Sequence, residues 1–443
     1  MGEPTESLSI RANIKIGSFH IGSALTDILG SGVWNRIMIA DLGYPATPVS
    51  LLLALNYFLS PLSVWVGQRS DHTNWRGYRR LPWVWGGRSL MAIGFLLLAF
   101  NTIELAESDN KLWWLGIAAS LFMVSVGYLC SGSTYTTLIY DRAPAMQRGR
   151  AVGVVWTMLL MGFAFAGVLF ARLLPEYSVG GLATLFVTTI AIASALWFFS
   201  VLGEERPRYD MPPAEERPNF KTDFQAIWSK PTTRLFFLYI ALSFMGAFAQ
   251  DQILEPFGGQ VFDLSTGETS RFAAYWGTTA LLGSVFALVA RRRLSGMTYQ
   301  RINRYGIAIL VITFGLLALT AFTHAEAMIR PTLLLFGAGL GLWNIGSWGL
   351  MVMVSSDEQA GTYFGLWTMA SLLFRGGGSV IGAAIRDIGV LLSATPAFSY
   401  GIVFALEGVV MVVALSILNR VPFAETHAEP DHESLLVAIG AEG

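Results

Sequence analysis

Cysteine is nearly missing from this chain: Cys130 is the one example in 443 residues, and it sits inside an apolar run. That excludes a disulfide framework and a cysteine-rich metal or iron–sulfur centre, since both need several thiols at set spacings. Charge is scarce too. Asp, Glu, Lys and Arg make up 13% of the residues, against roughly 25% in soluble domains. The net charge of -1 leaves no basic footprint for nucleic acid. Of the 5 histidines, His72, His324, His427 and His432 lie outside the long apolar runs, so no histidine metal cluster is expected. Gly337, Gly339 and Gly341 lie within an apolar run and follow no strand pattern, which removes the dinucleotide-loop reading. No nucleophile–histidine–acid grouping stands out. The expectation is a non-enzymatic protein with no metal and no required cofactor.

What the chain does contain is apolar sequence, at 53% of residues. It comes in runs of about 20, long enough to cross a hydrocarbon core about 30 Å thick. The alternation over segments of about 10 residues that marks a membrane barrel is absent. The class is therefore all-α polytopic membrane protein, with the lipid bilayer as its first partner. Twelve spans are expected, at 16–40, 48–66, 81–103, 112–139, 151–173, 182–202, 234–254, 272–290, 305–322, 331–354, 363–385 and 397–418. Residues 1–15 are polar, with Arg11 and Lys15, and carry no cleavage-type signal, so the first span is expected to be retained.

The stretch 67–80 orders these spans. It joins the second and third with Arg69, Arg76, Arg79 and Arg80 against one acid, Asp71. Alternate loops on the same side add Arg142, Arg148, Arg150, Arg291, Arg292, Arg293, Arg301 and Arg304, whereas the opposite loops hold only Lys111, Arg172, Arg271, Arg330 and Arg386. Short basic loops stay cytoplasmic. The asymmetry predicts an even number of spans in a bacterial inner membrane, with both termini in the cytoplasm.

The longest polar gap, 203–233, holds Pro207, Pro212, Pro213 and Pro218 and is read as a linker. It separates a half at 1–202 from a half at 234–420, and 421–443 reads as a mobile polar tail. Within the linker, 220–228 has the pattern of a short amphipathic surface helix. The halves carry matching stretches. Gln147-Arg148-Gly149-Arg150-Ala151-Val152-Gly153, then Trp156-Thr157-Met158, parallels Gln359-Ala360-Gly361-Thr362-Tyr363-Phe364-Gly365, then Trp367-Thr368-Met369. Asp41-Leu42 likewise parallels Asp263-Leu264. Two similar six-span halves predict a major-facilitator-type fold with a site near the bilayer midplane where the halves meet.

Two further stretches carry a family resemblance. They are Asn35-Arg36-Ile37-Met38-Ile39-Ala40-Asp41-Leu42-Gly43-Tyr44-Pro45-Ala46 and Asp251-Gln252-Ile253-Leu254-Glu255-Pro256-Phe257-Gly258-Gly259-Gln260-Val261-Phe262. With Asp141-Arg142-Ala143-Pro144 and Arg148-Gly149-Arg150, they resemble the PucC family, a branch of the major facilitator superfamily in photosynthetic bacteria. The resemblance implies bacteriochlorophyll delivery, or assembly of light-harvesting or reaction-centre complexes. Bacteriochlorophyll would be bound cargo. The implied partners are antenna or reaction-centre polypeptides, with late pigment-synthesis enzymes as an alternative set. The alternative functions are a proton-coupled transporter of a small solute and a non-catalytic membrane partner of late bacteriochlorophyll-synthesis enzymes. The loop here is longer than the compact superfamily form, with Thr73–Arg76 inserted, and Ala360 and Thr362 replace the arginine pair in the second copy.

Candidate residues follow. The superfamily outline makes Gly67, Asp71, Arg79, Arg80, Asp141, Arg148 and Arg150 a gate or latch that holds one access state; the bland reading is a topology signal solvated by headgroups. His20 and Asp27 lie seven apart in the first span and so share one helical face. An ionisable group inside the membrane is costly and suggests a role. His20 can ligate the magnesium of a chlorin, and Asp27 can relay a proton; either can instead hydrogen-bond a neighbouring helix. Asn35 and Arg36 at the end of the first span, and Asp251 and Glu255 at the end of the seventh, are candidates for an outer gate or a ligand's polar group, against simple end-capping and snorkelling. Arg375 precedes Gly376, Gly377 and Gly378 and marks a close-packed segment facing protein or a cavity. Trp156 and Trp367, with Trp343 and Trp348, can pack on a flat macrocycle, or simply on the core.

Overall fold

In the computed structural model the described residues are 8–108, 110–144, 147–205, 207, 228–229, 231–354, 360–392 and 395–423. Among them the chain is helical, with no β-strand and one isolated bridge, Trp75 to Tyr78, in the loop after the second span. The expected surface helix at 220–228 lies outside the described residues apart from Trp228, as do the tail beyond Phe423 and Gln359. The side chains of Gly149, Arg150 and 360–364 also lie outside them.

Among the described residues ten helices are long and apolar enough to cross a membrane. Two further crossings, the first and second, are broken into pieces, which brings the set to the twelve expected. The first runs Ile10–Ile28 and continues through wide π turns at Leu29–Trp34 and Ile37–Asp41. Gly30 and Gly32 weaken the regular ladder there, and π turns often accompany functional positions. The second is cut into Ala46–Leu53, Leu55–Phe58 and Pro61–Asp71. Pro61 has no N–H to continue the preceding turn. The third to sixth spans are Leu81–Ser108, Trp113–Arg142, Arg148–Leu173 and Val179–Val201. The seventh runs Pro231–Phe248, tightens at Ala249–Gln252 and resumes at Leu254–Phe262. Pro256 cannot donate to residue 252, so the α-helix cannot pass unbroken through this point. The eighth to twelfth are Thr266–Arg293, Tyr299–Thr323, Ile329–Val354, Ala360–Leu391 and Pro396–Leu418.

The described residues fall into two compact units. Unit 1 holds the first six spans together with Asp263–Ala274; unit 2 holds 228–262 and 275–423. Each repeats one packing scheme. In unit 1 the first span packs on the fifth and sixth, and the third on the fourth and sixth. In unit 2 the seventh packs on the eleventh and twelfth, and the ninth on the tenth and twelfth. Glycines set the closest approaches. A methyl on Gly127 would meet the backbone of Gly87 and Met91, and one on Gly162 would lie 2.6 Å from Ala24 Cβ. Small residues at helix contacts are how membrane bundles gain packing without a hydrophobic drive between helices. The outward faces are apolar, as with Ile93, Leu96, Leu97 and Phe100 on the third span and Leu282, Val285, Phe286 and Val289 on the eighth.

Candidate functional site

The pieces above place four groups of polar side chains. In unit 1, His20 is buried inside the bundle. Its ring lies 5.2 Å from Tyr135 of the fourth span, tilted by 46°. Tyr135 stacks on Phe19 at 3.8 Å, and its hydroxyl donates to the Ile16 carbonyl at 2.7 Å. The same pocket of side chains holds Arg88 of the third span, 1% exposed. Its guanidinium lies 4.4 Å from the Phe19 ring and 4.7 Å from the Trp197 ring of the sixth span. It donates to Met91 Sδ at 3.2 Å. Among the described residues no carboxylate pairs with it. Asp27, expected on the face of His20, is exposed instead. Seven residues displace it by about 10 Å along the helix axis, so the shared angle does not give it the same neighbours.

At the Gly67–Arg80 end of unit 1, Arg80 is the centre. It pairs with Asp71 at 2.5 Å and with Asp141 at 3.3 Å, and donates to Ser70 Oγ at 2.6 Å. Gly67 accepts from the Ser70 hydroxyl at 2.7 Å. The backbone N–H groups of Arg79, Arg80 and Leu81 donate to Glu205 at 2.7, 3.0 and 2.8 Å. A carboxylate there satisfies orphan donors and opposes the positive end of the helix dipole. Its neighbour Glu204 takes Lys15 at 2.9 Å and Arg142 at 3.4 Å. Arg148 sits 5.8 Å from the Tyr140 ring. The expected latch residues are thus brought together by ties within unit 1, joining the ends of the first, second, third, fourth and sixth spans. The side chain of Arg150 is outside the described set.

The π turns at the far end of the first span set Arg36 between its own helix and the residues that open the eighth. Arg36 pairs with Asp41, donates to Thr266 Oγ1 at 2.9 Å and to the Leu264 carbonyl at 2.7 Å. Gly267 N–H donates to the Pro175 carbonyl at 2.9 Å, so Asp263–Ala274 is held to the end of the fifth span as well. Asn35 is fully buried beside Arg36. Nearby, burial pushes the Tyr177 hydroxyl above its ordinary value, and the Asp41 and Glu107 carboxylates act in the same direction. Arg36 belongs to unit 1, whereas Asp251 and Glu255 belong to unit 2.

In unit 2 those acids have their own setting. Arg375 donates to Asp251 at 2.8 and 3.1 Å and lies 4.2 Å over the Phe248 ring. This pair depends on close helix approach. Arg375, Gly378 and Gly382 share one face of the eleventh span. A methyl on Gly378 would lie 2.6 Å from the Met245 carbonyl oxygen, and one on Gly382 would lie 2.5 Å from that of Ala249. Glu255 and Glu407 are buried close enough for the Asp251 charge to act on both. Both carboxyl oxygens of Glu407 lack hydrogen-bond partners among the described residues. Trp367 is packed in the core, 4.2 Å from Trp348 and 5.9 Å from Phe244, while Trp156 is only half-buried.

Arg88, Arg386 and Glu407 are buried charges that the candidate set lacks, and Glu204 and Glu205 are its missing anchors. Arg88 and Glu407 carried a readable signal: each is a charge inside a membrane-length apolar run, which is costly enough to imply a role. Glu204 and Glu205 carried none, because acids at the start of a polar linker look like ordinary solvated charges.

Solved structures similar in fold include a POT family transporter in complex with thioalcohol conjugated peptide, at TM-score 0.73 and 10% identity, covering 93% of this chain and 96% of that one. A structure of the nucleoside transporter NupG matches at TM-score 0.68 and 13% identity, covering 94% and 100%. This likeness shows a shared helical fold, of the major-facilitator type. By sequence, Protein PucC of Rhodobacter capsulatus is 26% identical over 430 residues, 93% of this chain and 92% of that one. Protein PucC of Cereibacter sphaeroides is 27% identical over 438 residues, 94% of each. The Bacteriochlorophyll synthase 44.5 kDa chain of Rhodobacter capsulatus is 26% identical over 393 residues, 87% of this chain and 90% of that one. The family described as PUCC protein matches residues 33–426, from the π turn that carries Trp34 to beyond the twelfth span, and this chain belongs to it.

Proposed function

We propose that this protein carries bacteriochlorophyll within the membrane and serves the assembly of light-harvesting or reaction-centre complexes, without being an enzyme. The observation that carries the reading is the family match over 33–426, joined to relatives named PucC and Bacteriochlorophyll synthase 44.5 kDa chain. An apolar pigment needs apolar and aromatic walls and few polar contacts. The few buried charges of each unit suit such cargo. Antenna or reaction-centre polypeptides would receive it, in a bacterial inner membrane with both termini cytoplasmic. The reading assigns no catalytic residue.

The test is an absorption spectrum of the protein purified in mild detergent from a pigment-making host, with His20→Phe beside it. Bound bacteriochlorophyll supports a carrier, and its loss in His20→Phe assigns the magnesium ligand. Colourless protein, with equal pigment-loaded antenna in cells with and without the gene, sinks the reading.

Unit 2 favours a second reading, proton-coupled solute transport. Half-buried Asp251 pairs with Arg375, and Glu255 follows it by one turn. The twelfth span, which carries Glu407, packs on the same turn, and Glu255 and Glu407 are buried. Carboxyls inside a membrane bundle are used in proton relays. It predicts saturable uptake into vesicles driven by a proton gradient and lost in Asp251→Asn. Uptake independent of the gradient removes it.

A further inference from the structure

Three nitrogens in the aromatic box of unit 1 are buried with no hydrogen-bond partner among the described residues: Arg88 Nε, His20 Nδ1 and Trp197 Nε1. Their residues are 1%, 6% and 0% exposed. A buried guanidinium without a carboxylate is expensive, and so is each unpaired donor. The ring faces of Phe19 and Trp197 offset part of the cost through cation–π attraction. They do nothing for the N–H donors, which need an acceptor. The Met91 thioether that Arg88 meets is a weak one.

We propose that Arg88, His20 and Trp197 form an anion site that takes one carboxylate carried on an apolar body. The planar guanidinium fork matches a carboxylate, and the indole N–H adds a donor from the neighbouring span. Arg88 supplies one fixed positive charge to the box, so it balances a monoanion; a phosphate dianion would leave excess negative charge among rings. The walls, Phe19, Tyr128, Tyr135 and Trp197, favour an apolar and flat remainder. Two sources fit this chemistry: a chlorin whose propionate is not esterified, and a membrane fatty acid. The first deepens the proposed pigment-handling function and rests on it. The second does not.

The test uses the full chain in mild detergent. Tryptophan quenching follows binding of a metal-free chlorin with one free propionate, then of its methyl ester, with oleate as competitor. The free acid binds at least about tenfold tighter than the ester, as a charge-assisted hydrogen bond requires. Arg88→Gln removes this preference, and Arg88→Lys keeps part of it. Equal binding of acid and ester by the unaltered protein overturns the anion site and leaves pigment handling standing; this comparison needs no variant, so a misfolded Arg88→Gln cannot obscure it. Arg88-dependent oleate binding, read directly from the tryptophan signal, with neither chlorin bound keeps the anion site and overturns the chlorin acid as its ligand. Binding of no probe overturns the anion site, and pigment handling is then decided by the absorption spectrum.

Discussion

Asp251 and Arg375 hold each other at 2.8 and 3.1 Å inside unit 2. The side chains of Arg375 and Asp251 are 31% and 20% exposed, so removing one partner leaves a partly solvated charge and costs less than the about 3–5 kcal/mol of a fully buried pair. Arg375→Met is therefore expected to lower stability in detergent by about 1–3 kcal/mol, the scale of a charged hydrogen bond left unmade, and the double change with Asp251→Asn to recover most of the loss. A double change as unstable as the single one would mean the pair contributes nothing beyond packing. Glu205 works differently. It accepts from three backbone N–H groups at the start of the third span. Glu205→Ala is expected to cost about 1–2 kcal/mol, the scale of a lost helix cap. Glu205→Gln keeps an acceptor and should cost less. Equal losses in the two variants would show that the carboxylate's caps are not what holds this end.

The eleventh span tests how helices approach each other. Gly378 faces the Met245 carbonyl, whereas Gly377, its neighbour, has open space where a Cβ would go. Gly377→Ala is expected to be neutral, or to stabilise by up to about 1 kcal/mol, because alanine is the better helix former. Gly378→Ala must push the seventh span away and loosen the Asp251–Arg375 pair. Thermal melts of the two variants check this, and matched stabilities would remove the claim. At the first span, Arg36→Ala releases the ties to Leu264 and Thr266. Faster hydrogen exchange confined to 263–274 and the π turns is the expected result; unchanged exchange there would mean Arg36 anchors nothing.

Across the molecule, the packing of each unit repeats: first on fifth and sixth, seventh on eleventh and twelfth. The side on which the loops lie is checkable because the chain has one cysteine. In a Cys130→Ser background, His72→Cys and Lys111→Cys put thiols in successive connections between spans. An impermeant reagent added to whole cells should label position 111 and spare 72. The reverse would invert the proposed topology.

Much of the fold was legible because a bilayer demands it. Lengths of apolar runs gave twelve crossings, and the paired stretches at 147–158 and 359–369 gave two similar halves, since backbone groups in lipid must be satisfied within each helix. Arg375 and Asp251 were legible one at a time, as charges where charges are costly. That they pair, and that Arg36 instead meets Asp41, Leu264 and Thr266, was decided by the tertiary structure. So were the burial of Trp367 beside Trp348 and the placing of both His20 and Arg88 around Phe19. Sequence determines what each helix can bury, because period and length are local. Which buried groups face each other depends on helix rotation, on π turns such as Leu29–Trp34, and on glycines that admit a neighbour's backbone, and only packing settles these.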